Sequence, residues 1–179
     1  MQDWNVVVTA HEHGYSQARE FMETFGTVSK TDYFNVLALN VEDIGQFIEN
    51  LRRRIDEDPS LMNILARVMP VSCTFSFQSP MEFENKAREA VALWLPGLDD
   101  KRFHVRMHRR GFRGRISSQQ EERFLDEFVM EHLSSEGSPG EVSFDDPDVI
   151  IAVETIGQQA GLSIWTRKDR ARYPFLKLD

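Results

Sequence analysis

Apolar and polar positions along this chain recur with two periods, and the switches between them mark the elements. Val6 to Thr9 is a short apolar run that predicts a buried strand. From Tyr15 to Phe25 the apolar positions Tyr15, Ala18, Phe21, Met22 and Phe25 share one helical face, with Gly26 as the stop. Tyr33 to Leu39 predicts a second strand. Ile44, Phe47, Ile48, Leu51 and Ile55 then form a helical stripe that ends near "DEDPS". This β-α-β-α opening is too short for a doubly wound sheet and suits a small ferredoxin-like layer of helices on one sheet face.

From Asn63 the pattern predicts a second unit. In "VSCTFSF", Val71, Cys73, Phe75 and Phe77 alternate with Ser72, Thr74 and Ser76, as in a half-buried strand. "SPME" reads as a helix start, with Ser79 as N-cap, Pro80 in the first position and Glu82 closing a capping box. Phe83, Ala87, Ala90, Val91 and Trp94 make that helix's inner stripe, and "PGLDD" ends it. Next, Phe103, Val105 and Met107 alternate with Arg102, His104, Arg106 and His108, which predicts one apolar and one charged strand face. After the loop "RRGFRGR", Ser118 and Glu121 predict another capping box, opening a helix that buries Phe124, Leu125, Phe128 and Val129. "DVIIAVETI" and "GLSIWT" read as two strands joined by a short turn. No internal repeat interrupts this order.

Composition narrows the class. The chain has 179 residues and a formal net charge of -8. No stretch reaches the ~18 to 20 apolar residues needed to span a bilayer, and "MQDWNVVV" lacks the basic start of a secretory signal. A single cysteine, Cys73, excludes an internal disulfide and fits a reducing compartment, so a soluble cytoplasmic protein with no membrane partner is expected.

Charge distribution changes the picture that net charge gives. Residues 101 to 115 hold seven Lys/Arg, two His and no acid, and residues 167 to 177 hold five Lys/Arg against Asp169. Ordinary solvated faces mix both signs. Segregated positive charge attracts polyanions while an acidic remainder limits non-specific contacts. The residues therefore mark a candidate nucleic-acid surface of Arg102, Arg106, Arg109, Arg110, Arg113 and Arg115, with Arg167, Lys168, Arg170 and Arg172 as a second set. Phe112 either stacks on an unpaired base or anchors the loop. The helix starting near Ser118 adds oriented N–H groups directly after the arginines. The reading leans on both basic segments converging into one continuous electropositive groove that neighbouring carboxylates leave unneutralised.

Catalytic machinery is not visible. "HEH" at His11 to His13 lacks a third metal ligand at a defined spacing, and "DDPD" at Asp145 to Asp148 lacks the spacing of a calcium loop and reads as a turn. There is no glycine-rich phosphate loop, no nucleophile elbow and no paired Cys/His set. No metal and no cofactor is expected. Two rival readings stand beside RNA binding: a protein-interaction module with a basic docking face, and an enzyme on a small anionic substrate that uses His104 or His108.

"FHVRMHRRGFRGRISSQQEE" followed by "VSFDDPDVIIAVETIGQQAGLSIWTRKDRARYPF" resembles the THUMP domain of tRNA-modifying proteins. The matching pieces are Phe103 to Arg110, Ser117 to Leu133, Phe144 to Glu154 and Gly161 to Arg172, and the resemblance covers about residues 63 to 175. The opening unit resembles the ferredoxin-like domain that precedes THUMP in 4-thiouridine synthetase and in the accessory protein of tRNA cytidine acetylation. The resemblance implies an α+β protein with a ferredoxin-like domain over residues 1–64 and a THUMP domain over 65–179. It implies tRNA as the partner, held by the acceptor stem and 3′ end, with DNA not expected. Carried over residue by residue, the contacts are Arg106, Arg109, Arg110, Arg113 and Arg115, with Arg167, Lys168 and Arg170 as the second set. Family members usually carry a fused modifying domain, which 179 residues leave no room for. The implied type is therefore a stand-alone, non-catalytic adaptor for a separate tRNA-modifying enzyme.

Overall fold

β1 (Val6–Ala10) lies at the centre of a four-stranded antiparallel sheet, flanked by β3 (Val36–Asn40) and β4 (Leu65–Pro70), with β2 (Thr27–Lys30) outside β3. This computed structural model describes residues 3–178. The helices α1 (Tyr15–Glu23) and α2 (Ile44–Glu57) complete a β-α-β-β-α-β order with strands arranged β2-β3-β1-β4, the ferredoxin-like pattern. Asp43 caps α2 by accepting the Gln46 N–H at 3.0 Å, and Phe47, Ile48, Leu51 and Ile55 are buried as their spacing predicts. α1 ends at Glu23 with Thr24 as its C-cap, ahead of the expected stop at Gly26, where a side chain has no room. A Cβ there would stand 2.2 Å from the Asn40 carbonyl oxygen.

The second sheet is mixed, with order β5-β9-β8-β6-β7. Its strands are β5 (Cys73–Ser76), β6 (Arg102–His108), β7 (Glu141–Val142), β8 (Val149–Ile156) and β9 (Gln159–Thr166). β6 runs parallel to β8, and parallel neighbours need a crossover, which α4 (Ser118–Ser135) begins. All eight residues of β8 are buried, as befits a near-continuous apolar strand in the middle of a sheet. α3 (Pro80–Ala92) starts as its sequence dictates: Ser79 accepts the Glu82 N–H at 3.1 Å, and Glu82 reaches back to the Gln78 N–H at 2.9 Å. Phe83, Ala87 and Val91 of α3 meet Leu125, Val129 and Leu133 of α4 in a core with Phe103, Val105, Ile151 and Leu162. Each Val, Leu, Ile or Phe among them contributes roughly 1.5–3 kcal/mol by leaving water. The last helix, α5 (Arg167–Arg172), leads into a short 3-10 turn, Pro174–Leu176.

The α+β class and the two-unit plan are as expected, but the division between units differs. β4 pairs with β1, so residues 65–70 belong to the first sheet and not to the second unit. The chain through Val71 forms one compact unit together with Ala171–Lys177, and Ser72–Arg170 forms the other. Within the first unit, the returning segment is fixed by Glu49 on α2, which takes Arg172 at 2.8 and 2.9 Å and is also bonded by the Tyr173 hydroxyl. Arg67 on β4 donates to the Leu176 carbonyl at 3.1 Å. The Arg172 guanidinium holds the Glu49 carboxyl down at about 2. From Ala171 on, the end of the second basic segment is therefore part of the first unit, with Phe175 and Leu176 buried in its core.

Candidate nucleic-acid interface

β6 is the strand from which the basic region is built, and its register separates the two arginine sets. Phe103, near its start, pairs with Val149, and Val149 pairs with Thr166, so Arg102 lies at the sheet end where α5 begins. His108, at the other end, pairs with Glu154. Seven residues of strand, roughly 20 Å at ~3.3 Å each, separate these ends. β8 also stands between β6 and β9. The expected single groove is therefore not formed: Arg109, Arg110, Arg113 and Arg115 follow one end of β6, while Arg167, Lys168 and Arg170 adjoin the other.

At the Arg102 end the charge is largely cancelled. Arg102 pairs with Asp146 at 3.2 Å and Asp148 at 3.3 Å, and Arg167 bonds to the same two carboxylates, at 3.1 Å for Asp148. Hydrogen bonds from the Arg102 backbone and side chain hold the Asp148 carboxyl far below its ordinary range. Arg170 donates to the carbonyls of Trp165 at 3.1 Å and Pro147 at 2.6 Å. The "DDPD" turn, expected only to shape the chain, is the counter-charge for two candidate contacts. Arg172 is likewise spoken for by Glu49 in the first unit. Lys168 is exposed and has no carboxylate partner among the described residues.

The loop after β6 is different. Arg110 alone turns inward, its side chain 13% exposed, to meet the fully buried Glu154 at 2.6 Å. Its backbone is pinned by Thr155 at 2.9 Å and by the Gly157 N–H at 2.8 Å. Glu154 is the buried anchor of the loop and also stands 3.6 Å from His108. Gly111, Phe112 and Gly114 take left-handed φ values of 99°, 53° and 80°, which turn the chain sharply. The Phe112 ring lies 4.9 Å from Phe77, with the Arg115 guanidinium 4.7 Å above it. Of the two roles open to Phe112, the geometry is that of a loop anchor. Arg109 bonds to the Gly111 carbonyl and Arg115 to that of Gln78 at 3.2 Å, while Arg113 is exposed. Arg109, Arg113 and Arg115 have no carboxylate partner among the described residues. α4 begins three residues on, capped by Ser117 in place of the expected Ser118. In its first turn the buried Glu121 is pushed up to about 8 by burial and by Glu84 on α3.

The outer edge of β6 carries a feature the sequence gives no sign of. Past Phe103 no strand among the described residues pairs with it. Instead α4 supplies carboxylates: Val105 N–H donates to Asp126 at 3.0 Å and Met107 N–H to Glu122 at 2.8 Å. These caps block strand addition at an otherwise open edge. His104, expected on a charged outer face, is 5% exposed, with Nδ1 3.8 Å from Asp126 and its ring edge-on to Phe144 at 4.7 Å. Arg106 stays exposed and lines an open groove of about 630 Å³ between β6 and α4 with His104, Glu122, Arg123, Glu127 and Phe144. Among the described residues no cluster of three or more His, Cys, Asp or Glu is placed to hold a metal ion, and no helix is long and apolar enough to cross a membrane.

No family model matches the sequence, and no curated protein matches it by sequence. Solved structures do match the fold. PH1313 from Pyrococcus horikoshii superposes with a TM-score of 0.59 at 12% identity, over 90% of this chain and 54% of that one. TrmN from Thermus thermophilus gives 0.54 at 16% identity, over 89% of this chain and 44% of that one. A 4-thiouridine synthetase in complex with RNA and ATP gives 0.54 at 12% identity, over 92% and 42%. The chain thus spans about half, or less, of the length of each. The likeness is one of fold, and it includes the 4-thiouridine synthetase whose domain order the sequence resembles.

Proposed function

We propose that this chain is a non-catalytic tRNA-binding module that holds the acceptor stem and 3′ end and presents the RNA to a separate modifying enzyme. The observation that carries this reading is the loop of Arg109, Arg113 and Arg115. Its guanidinium groups meet no carboxylate among the described residues, and it leads directly into the N-terminus of α4. Phosphates favour both features. The shared fold with a 4-thiouridine synthetase that binds RNA supports the choice of ligand. Arg106 extends the surface along β6, and Lys168 stands at the far end of the sheet as an outlying contact. His104 and His108, the residues an enzyme on a small anion would draw on, sit against Asp126 and Glu154 and serve the packing of β6.

Titration of the full chain with tRNA at several salt concentrations tests the binding. Log affinity should fall linearly with log salt, and replacing Arg113 and Arg115 with alanine should weaken binding and reduce the slope by about 0.7–0.9 per arginine lost. A salt-independent affinity, or one unchanged in the double variant, would refute it. The adaptor role is tested by mapping which tRNA modifications disappear from cells that lack the protein.

A further inference from the structure

The helical layer of the second unit carries the opposite charge to the loop. α3 and α4 together hold eight carboxylates against three Lys/Arg side chains. Glu121 is held protonated near neutral pH, and seven carboxylates remain. A polyanion is repelled by such a surface.

Two grooves flank α4 and share Glu127. The larger, about 630 Å³, has Met130, Val142 and Phe144 as its apolar lining and Glu122, Asp126 and Glu127 among its acids. The smaller, about 140 Å³, runs between α3 and α4 and is lined by Arg88, Phe124, Glu127, Phe128 and Glu131. Phe144 is 67% exposed. One exposed ring is ordinary on a protein surface. Here the ring stands beside two further apolar side chains in a groove of the size that binds ligands. Helical spacing places Glu127 and Glu131 together, next to Phe124 and Phe128.

We propose that α4 and its two grooves dock a basic, amphipathic segment of a partner protein. Apolar side chains of that segment cover Phe144, Met130 and Phe128, and its lysines or arginines face Glu122, Glu127 and Glu131. Charge complementarity selects this occupant over RNA, and a second copy of the chain would set one acidic layer against another. Arg106 and Arg123 also line the larger groove, so the segment carries an acid among its bases, and net charge alone does not seat it. The proposal rests on the adaptor reading for its need of a partner, and it gives the two ligands surfaces that adjoin at Arg106: RNA on the loop after β6, protein on α4.

The probe is a labelled amphipathic helical peptide of leucine and lysine with one glutamate on its polar face, with a scrambled isomer of identical composition, titrated by fluorescence anisotropy against the full chain. The amphipathic form should bind roughly tenfold more tightly than the scramble, a difference of about 1.4 kcal/mol. Phe144→Ala, and separately Glu127→Lys with Glu131→Lys, should each weaken the peptide by a similar factor while tRNA affinity stays within about twofold. Both sites are solvent-facing, and unchanged circular dichroism melts confirm that the variants fold. Equal binding of the scramble, insensitivity to Phe144→Ala, displacement of the peptide by a single-stranded RNA oligonucleotide, or self-association of the chain through this face would each overturn the proposal. Loss of tRNA binding by the unaltered chain, with peptide binding intact, would refute the RNA reading and leave this one standing.

Discussion

Arg110 and Arg113 differ by three positions and by everything that matters for a ligand. The first is folded inward onto Glu154, and the second keeps its charge in water. A buried pair of this kind contributes little over a well-packed apolar pair, but losing one member strands the other. Glu154→Ala should therefore destabilise the protein by about 3–5 kcal/mol in urea unfolding. Arg113→Ala should leave stability within ~0.5 kcal/mol, as at other surface positions. The inward turn of Arg110 is not legible in the sequence, because Glu154 lies 44 positions away and nothing local marks the pairing. The same holds for Arg102 and Arg167, whose partners Asp146 and Asp148 read locally as turn formers. Positive residues can be counted from a sequence, whereas their counter-charges are set by strand register.

At the scale of elements, the α3–α4 contact contains a titrating device. Glu121 has a folded pKa of about 8, raised by burial and by Glu84 above its ordinary 4.5. The neutral form is thus favoured by the fold. Its contribution is fully present below pH 4.5 and is lost as pH rises through 8. The loss is at most about 1.4 kcal/mol per pH unit for one proton. Glu121→Gln should flatten the fall in melting temperature between pH 5 and 9 that the unaltered chain shows, as followed by scanning calorimetry. A variant as pH-sensitive as the original would exclude this assignment. The helices themselves were plain in the sequence. Ser79, Pro80 and Glu82 announce α3, and the apolar stripe of α2 appears buried as its period requires. The strands β2 and β7 escape the pattern because they are short and solvent-facing, with four and two residues. β4 shows its apolar character openly, but which sheet it joins depends on pairing with β1, and hydropathy does not encode that.

The whole molecule is divided differently from the chain. The first unit is closed by residues that come after the second, through Arg172, Tyr173, Phe175 and Leu176. Truncation after Arg170 should raise amide hydrogen exchange in β4 and α2 well before it does so in β8. Uniform exchange across both sheets would contradict this. Acid adds a second handle. Glu49 is depressed to about 2 by Arg172, so its contribution is present above pH 4.5 and lost as pH falls toward 2. Arg172→Ala should reduce the part of acid unfolding that falls in this window, leaving the share due to the Tyr173 hydroxyl, read as a shallower fluorescence transition. Unchanged acid sensitivity would show the strap to be held by Phe175 and Leu176 alone.

Discontinuity of this kind has a consequence for biosynthesis. The four strands of the first sheet leave the ribosome early, yet the peptide that seals them emerges about a hundred residues later. At ~5–20 residues per second that interval lasts on the order of 5–20 s. Throughout it the nascent sheet has its β4 flank uncovered, a vulnerable period in which a chaperone would find its natural opening.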